Sequence, residues 1–244
     1  MTGRWLAIDT ATDVASVALG TPPRGESVTL IASQRAHAAQ IVELVDRCLV
    51  PLGLRPADLA GLVLGDGPGS FTGLRIGWAA AKGLAQEGAL PVQAVPSLLA
   101  AAAGAAAVLG SVPVAACFDA LRGQVFGAMY VVHADRVETV VAPVLCVLGD
   151  FIARSPRRPR AVVGDGAAKY AAEIEAWSGA PPLEALSLRP AAASLLTLCG
   201  REGAGRLLDE FASAEPDYGR PAEAQARWEA RHGRPLPDPT RPRG

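Results

Sequence analysis

The chain has 244 residues, of which 50% are apolar, and a formal net charge of −1 at pH 7. This length supports one large globular domain or two small lobes that share a hinge. A net charge so close to zero is not typical of a protein that binds nucleic acid by itself, so contact with RNA would need a partner or a local basic patch.

The first half of the sequence predicts strands that alternate with helices. Short apolar runs predict strands at Trp5–Asp9, Val14–Leu19, Glu26–Ser33, Leu62–Leu64 and Pro91–Val95. Apolar residues at helical spacing predict helices at His37–Val50 and Phe71–Gln86, and an Ala-rich helix follows the last of these strands.

The second half begins with the same pattern. Strands are predicted at Pro113–Asp119, Gln124–Val132, Arg136–Val141 and Ala161–Gly164. Helices are predicted around Asp150–Arg154, at Ala167–Trp177 and from Ala191 to Phe211, the last with a break at Gly200–Gly205. The stretch Arg234–Gly244 is rich in Pro and Arg, and we expect it to be disordered.

Two segments match each other and indicate an internal duplication. Leu62–Gly67 reads Leu-Val-Leu-Gly-Asp-Gly, and Ala161–Gly166 reads Ala-Val-Val-Gly-Asp-Gly. Two β-β-β-α-β-α halves predict an α/β protein with the duplicated fold of actin, Hsp70 and sugar kinases (the ASKHA fold), whose ligand cleft lies between the lobes. The predicted boundaries are a first lobe at 1–108, a second lobe at 109–190, a helix packing back across the lobes at 191–215, and a tail at 216–244.

The glycine-rich segment Gly67–Gly77 is the most informative motif. A loop that opens a helix presents free N–H groups suited to an anion, but this spacing is neither a Rossmann nor a P-loop pattern, and a structural turn with a helix cap is the alternative. Asp9 and Asp119 end strands, where they could hold a hydrated magnesium ion or cap turns. The candidate residues facing a nucleotide or anion are Asp9, Thr10, Thr12, Gly67, Gly69 and Asp119.

The helix after this loop has small residues at every fourth position, Gly73, Gly77 and Ala81. Such a strip lets another helix approach closely, either within the fold or across an interface with a second protein. The alternative is that these surfaces meet only their own sheet. The residues predicted to contact a partner are His37, Ile41, Val42, Val45, Leu49, Ser70, Phe71, Thr72, Gly73, Leu74, Arg75, Gly77, Trp78 and Ala81.

Groups typical of catalysis are scarce in the sequence. The three histidines, His37, His133 and His232, are far apart and form no H-x-x-x-H or H-E-x-x-H pair, so we predict no catalytic residue and no metal ligand. The four cysteines contain no C-x-x-C pair, and the longest apolar run, Leu98–Leu109, is too short to span a bilayer. We therefore expect a cytoplasmic protein with reduced thiols and no membrane association.

Several segments resemble the TsaB family in order and spacing, over nearly the whole chain except the tail. They are Leu6–Thr12, Gly67–Gly83, Phe118–Phe126 and Pro216–Arg220. The resemblance implies a two-lobed actin-like fold and a role in modifying the tRNA adenosine beside the anticodon to threonylcarbamoyladenosine. It also implies a heterodimer with a TsaD-like paralogue through helices of the first lobe, assembly with a TsaE-like ATPase, and contact with tRNA through the complex.

The resemblance also implies that this chain is not an enzyme by itself. TsaD-like proteins carry a metal-binding H-x-x-x-H, and its two positions fall here at Ser97 and Ala101, neither of which supplies an imidazole. We expect no tightly bound cofactor, ATP and Mg²⁺ only at the interface of the complex, and a homodimer when the chain is alone. The alternatives are a stand-alone actin-fold kinase or ATPase and a zinc peptidase.

Overall fold

Two β-sheets with helices between and around them form the structure, a computed structural model that describes residues 3–24, 27–32, 37–86, 89–184 and 191–220, together with residue 231. The strands are β1 Trp5–Asp9, β2 Val14–Gly20, β3 Ser27–Ala32, β4 Gly61–Gly65, β5 Val92–Val95, β6 Pro113–Asp119, β7 Gln124–Val132, β8 Val137–Val147, β9 Ala161–Val163 and β10 Arg206–Leu207. The helices are α1 His37–Leu49, α2 Phe71–Gln86, α3 Ser97–Leu109, α4 Leu148–Arg154, α5 Asp165–Lys169, α6 Ala171–Ser178 and α7 Ala191–Leu198.

Four strands of each sheet follow the same order, β4-β1-β2-β3 in the first sheet and β9-β6-β7-β8 in the second. The first sheet has the order β10-β5-β4-β1-β2-β3, and the second has the order β8-β7-β6-β9. In each, the first strand of the repeat pairs antiparallel with the strand that follows it and parallel with the strand that precedes the Gly-Asp-Gly segment. This shared order confirms the predicted duplication.

Side chains alternate across the first sheet and separate two apolar cores. Leu6 and Ile8 of β1 pack on the side of α1 and α2, which also holds Leu44 and Trp78. Ala7 points to the opposite side, where α3 and α7 lie between the two sheets. A third core covers the outer face of the second sheet beneath α4 and α6. The small alanine side chains between the sheets let these helices pack closely on the strands.

Two predicted helices of the second half differ from those in the structure. The helix predicted at Ala167–Trp177 is divided into α5 and α6 at Tyr170, where φ is −111° and ψ is 40°. The helix predicted from Ala191 to Phe211 ends at Leu198, because Gly200 and Gly203 adopt left-handed φ values of 74° and 72°. The chain then forms β10, which pairs with β5 at the edge of the first sheet.

Two further expectations concern the whole chain. In the described ranges, no helix combines the length and the apolar composition that a bilayer crossing needs. All four cysteines are buried, and burial raises the pKa of Cys117 to about 12 and that of Cys199 to about 11. The predicted disorder of Arg234–Gly244 falls outside the described residues.

Candidate functional site in the interlobe cleft and on the first-lobe helices

The acid that ends β1 is buried, and both of its oxygens accept hydrogen bonds. Asp9 is 2% exposed. Its Oδ1 accepts from the Ala11 N–H at 3.3 Å, and its Oδ2 accepts from the Ser97 hydroxyl at 2.8 Å. Burial raises the pKa of Asp9 above its ordinary value of 3.8, because removal from water disfavours the ionised carboxylate. This environment favours turn capping over an open magnesium site.

Ser97, the first residue of α3, joins this turn to the glycine loop. Its hydroxyl accepts from the Gly67 N–H at 3.2 Å, and its own N–H donates to the Gly67 carbonyl at 2.8 Å. Ala101 lies one turn further along α3 and is partly buried. At the two positions that the resemblance equates with metal-binding histidines, one side chain has no ligand atom and the other already bonds to Asp9 and Gly67. In the described part of the chain, no three His, Cys, Asp or Glu side chains cluster so that they could hold a metal ion.

A segment that follows β10 covers the glycine loop, and we call Glu215–Arg220 the interlobe strap. The Asp217 N–H donates to the Asp66 carbonyl at 2.8 Å. Gly67 has a left-handed φ of 97°, and a Cβ there would lie 2.1 Å from the Asp217 carbonyl oxygen. The Arg206 guanidinium bonds both oxygens of the Asp66 carboxylate at 3.2 Å. Gly67 is therefore needed for the close approach of the strap.

The strap also contacts the second repeat. The Arg220 guanidinium donates to the Ala120 carbonyl and lies 5.1 Å from the centre of the Phe126 ring. A Cβ on Gly219 would lie 2.6 Å from Pro68 Cβ on one side and 2.7 Å from the Phe126 ring on the other. The strap thus connects the glycine loop of the first repeat to the turn and strand of the second.

The turn after β6 is more open than the turn after β1. The Asp119 carboxylate accepts from the Leu121 N–H at 3.0 Å and pairs with Lys169 Nζ at 2.8 Å. Leu121 and Arg122 adopt left-handed φ values of 61° and 51°, and both are exposed. The predicted candidate Asp119 is therefore bound to a lysine of its own repeat.

The other residues predicted to face a nucleotide or anion also serve local structure. Thr12 Oγ1 accepts from the Val14 N–H at 3.3 Å, which fixes the first turn. A Cβ on Gly69 would lie 2.2 Å from the Ala11 carbonyl oxygen, so this glycine permits the loop to pack on the turn. Thr10 is 3% exposed and lies under α2. The candidates of the first repeat do lie close together in the structure, where they pack against one another as a turn and a loop.

The small-residue strip of α2 faces the interior of the chain, which corrects the prediction that it receives a partner. A Cβ on Gly73 would lie 2.1 Å from the Thr10 carbonyl oxygen, and one on Gly77 would lie 2.3 Å from Thr10 Oγ1. α2 thus approaches its own first turn closely. The predicted contact residues that are buried, and so cannot reach a partner in this conformation, are Ile41, Val45, Leu49, Gly73, Leu74, Gly77, Trp78 and Ala81.

Five of the remaining predicted contact residues are exposed, on α1, on α2 or at the residue that precedes α2. Val42 is 59% exposed and Phe71 is 47% exposed. The Arg75 guanidinium lies 4.9 Å from the centre of the Phe71 ring. The side chain of His37 lies outside the described residues. We call the exposed set the outer helical face, and its members are Val42, Ser70, Phe71, Thr72 and Arg75.

Residue-by-residue reasoning from the sequence missed the roles of the strap. Pro216–Arg220 belongs to the family resemblance, but its residue types predict no contact. The available signal was its composition, since an aromatic, a glycine and an arginine stand together outside any helical or strand pattern. Ser70, listed above as a partner contact, caps α2, since its Oγ accepts from the Gly73 N–H at 3.1 Å.

Comparison with known proteins agrees with this architecture. A family model described as TsaD, tRNA N6-adenosine threonylcarbamoyltransferase, matches residues 30–181. The solved structure of YeaZ from Pseudomonas aeruginosa is similar with a TM-score of 0.69 and 28% identity, covering 89% of this chain and 100% of that one. The two repeats define a duplicated ASKHA-fold protein whose first-repeat turn is closed by the chain's own groups.

Two relatives share a family name. TsaB of Bacillus subtilis (strain 168), a tRNA threonylcarbamoyladenosine biosynthesis protein, is 30% identical over 229 residues, which is 91% of this chain and 96% of that protein. TsaB of Escherichia coli (strain K12) is 38% identical over 146 residues, which is 57% of this chain and 63% of that protein. This chain belongs to the TsaB family.

Proposed function

We propose that this chain is a non-catalytic subunit in the biosynthesis of threonylcarbamoyladenosine in tRNA, acting in the cytoplasm. It docks through the outer helical face onto a TsaD-like transferase and assembles with a TsaE-like ATPase, and the complex binds the tRNA. One observation carries this proposal. The Ser97 hydroxyl bonds to Asp9 and to Gly67 at the position where the resemblance places a metal-binding histidine of the catalytic paralogue. The reaction is inferred from the TsaB relatives, which are named as tRNA threonylcarbamoyladenosine biosynthesis proteins.

The outer helical face has the composition of a docking surface. Phe71 and Arg75 form an exposed aromatic–cationic pair, and aromatic and arginine side chains contribute most often to binding hot spots. Val42 lies on the neighbouring helix, and Val50 and Leu52, which follow that helix, are 68% and 44% exposed. Exposed apolar side chains concentrated on neighbouring elements support an interface with another protein.

The subunit acts by differential binding. It stabilises the competent conformation of its partner and supplies no reacting atoms, so the factor by which it raises the rate cannot exceed its differential affinity for that conformation. ATP and Mg²⁺ bind only at the interface of the complex, since Gly67 of this chain is covered by the strap. When the transferase is absent, the same face pairs with a second copy of the chain.

The first test is complex formation. The purified chain and its TsaD-like paralogue are mixed and measured by size-exclusion chromatography and titration calorimetry, and tRNA threonylcarbamoylation is assayed with and without the chain. We expect a complex and a dependence of activity on the chain. Val42→Glu places a charge on the docking surface and should raise the Kd about tenfold or more.

Val108→Glu is the matched control, because Val108 is 76% exposed on α3 and lies outside the outer helical face. It should change the Kd less than about twofold. Failure of the wild-type chain to bind the paralogue would contradict the proposal. ATP turnover by the isolated chain would favour the stand-alone ATPase instead.

A further inference from the structure

Tyr218 of the strap lies against the outer helical face. Its ring centre is 4.6 Å from that of Phe71, and the planes are tilted by 37°. The Arg75 guanidinium interacts with the Tyr218 hydroxyl as well as with the Phe71 ring. Phe71 therefore contacts both a tyrosine and an arginine, although nearly half of it is exposed.

Tyr218 is itself fixed by its neighbours in the strap. Its hydroxyl donates to Glu215 Oε2 at 3.0 Å, and Glu215 Oε1 lies 3.7 Å from Lys82 Nζ of α2. Burial and the Glu215 hydrogen bond raise the pKa of Tyr218. The ring thus keeps one orientation above α2, and its hydroxyl stays protonated.

The other end of the strap is anchored in the second repeat. Arg220 donates to the Ala120 carbonyl and stacks on Phe126, neither of which belongs to α1 or α2. Between these ends, Asp217 bonds to the backbone of Asp66 in the glycine loop. One short segment therefore connects the second repeat, the cleft and the exposed aromatic ring of the first repeat.

We propose that Tyr218 is a positioning residue for protein docking, which holds Phe71 and Arg75 in the conformation that the partner binds, and that Arg220 couples this conformation to contact between the two repeats. This inference rests on the proposed docking function. An exposed aromatic side chain loses rotamer freedom when it binds, so a ring that is already held in place binds with a smaller entropy cost. The strap thereby makes the affinity of the first repeat depend on its contact with the second.

The test is a double-mutant cycle in the full chain, with calorimetric Kd values for the TsaD-like paralogue. Tyr218→Ala should raise the Kd about fivefold to tenfold, because the ring stack on Phe71 is lost. Tyr218→Phe, the matched control, keeps the ring and should stay within about threefold of wild type. Arg220→Met, which does not touch α2, should raise the Kd about threefold through loss of the anchor.

The cycle separates positioning from direct contact or general stability. In a Phe71→Ala background, Tyr218→Ala should raise the Kd less than about twofold, since Arg75 is then the only residue left for it to position. An equal loss in both backgrounds would overturn the proposal, and so would an unchanged Kd for Tyr218→Ala in the wild-type background. If Tyr218→Ala shows no cooperative thermal unfolding, Tyr218→Leu takes its place in the cycle.

The two proposals fail in different ways. A wild-type chain that does not bind the paralogue refutes the docking function and this inference with it. A wild-type chain that binds, while Tyr218→Ala binds equally well, refutes the positioning role alone.

Discussion

The turn after β1 and the turn after β6 occupy the same place in the two repeats, but their acids are used differently. Asp9 is 2% exposed and bonds to neutral groups, the Ser97 hydroxyl and the Ala11 N–H. The Asp119 side chain is 20% exposed and pairs with Lys169. One carboxyl is part of a buried network, and the other forms an ion pair at the surface.

The difference comes from what packs on each turn. Gly73 and Gly77 bring α2 onto the first turn, and the strap closes the adjacent glycine loop. The second turn carries an exposed Leu121, and only the Arg220 end of the strap reaches it. A duplicated strand order therefore does not duplicate the environment of the acid, because helices and strap from elsewhere in the chain decide its burial.

The closest packing on the first turn should also be the most costly to disturb. Gly73→Ala places a Cβ against the Thr10 carbonyl oxygen and forces α2 away from the turn. We expect the free energy of unfolding to fall by about 3 kcal/mol, measured by urea denaturation. Gly83→Ala is the control on the same helix, since its Cβ would meet nothing within 4 Å. It should raise the stability by up to about 1 kcal/mol, and equal stabilities of the two variants would contradict the packing described.

Removal of the hydroxyl that serves Asp9 should have the next largest effect. Ser97→Ala leaves Asp9 Oδ2 and the Gly67 N–H without this partner in a buried site. The expected loss is about 2 kcal/mol in the same denaturation experiment. Ser111→Ala removes an exposed hydroxyl that donates to the Val132 carbonyl at 3.0 Å, and it should cost less than about 0.5 kcal/mol. Equal losses of unfolding free energy in Ser97→Ala and Ser111→Ala would contradict a stabilising role of the Ser97 hydroxyl.

The pH dependence of stability distinguishes the two acids further. Because the folded chain raises the pKa of Asp9, it holds that proton more tightly than the unfolded chain. The contribution of Asp9 to the free energy of unfolding is therefore largest below 3.8 and falls as the pH rises through the raised folded-state pKa. In Asp9→Asn this contribution is absent, so the wild type should lose stability relative to the variant over that window, by at most about 1.4 kcal/mol per pH unit.

Asp119→Asn is the counterpart in the second repeat. It breaks an ion pair in which the Lys169 side chain is 42% exposed. The cost should stay below about 1 kcal/mol and decrease with added salt.

For the buried Asp9, the contradicting result is a wild-type stability that rises relative to Asp9→Asn as the pH increases above 3.8, since this is opposite to the sign derived above.

Local patterns were sufficient for much of the fold. The bounds of β1, β6, β7 and α2 agree with their apolar runs and flanking residues, because these signals are contained in adjacent residues. The helix predicted beyond Leu198 was wrong because the glycines at 200 and 203 end it. A weak break signal thus outweighed the apolar periodicity.

The site was harder to predict, because its contacts join distant parts of the chain. Ser97 lies 88 positions from Asp9, and Asp217 lies 151 positions from Asp66. Helical periodicity located the stripe of Gly73 and Gly77 but does not tell which side of a helix the sheet covers. The sequence therefore left open whether the strip faces its own fold or a partner, and in the structure it packs on the first turn, whereas Phe71 and Arg75, beside it in sequence, are exposed.

The edge strand β10 and helix α7 have a consequence for synthesis of the protein. β10 completes the edge of the first sheet beside β5, and α7 covers the face of that sheet formed by β1, β2 and β4. Both come from residues that the ribosome adds after the entire second sheet. The first sheet therefore keeps an uncovered face and an unpaired edge at β5 until residues 191–207 have been synthesised, and it cannot reach its final packing before then.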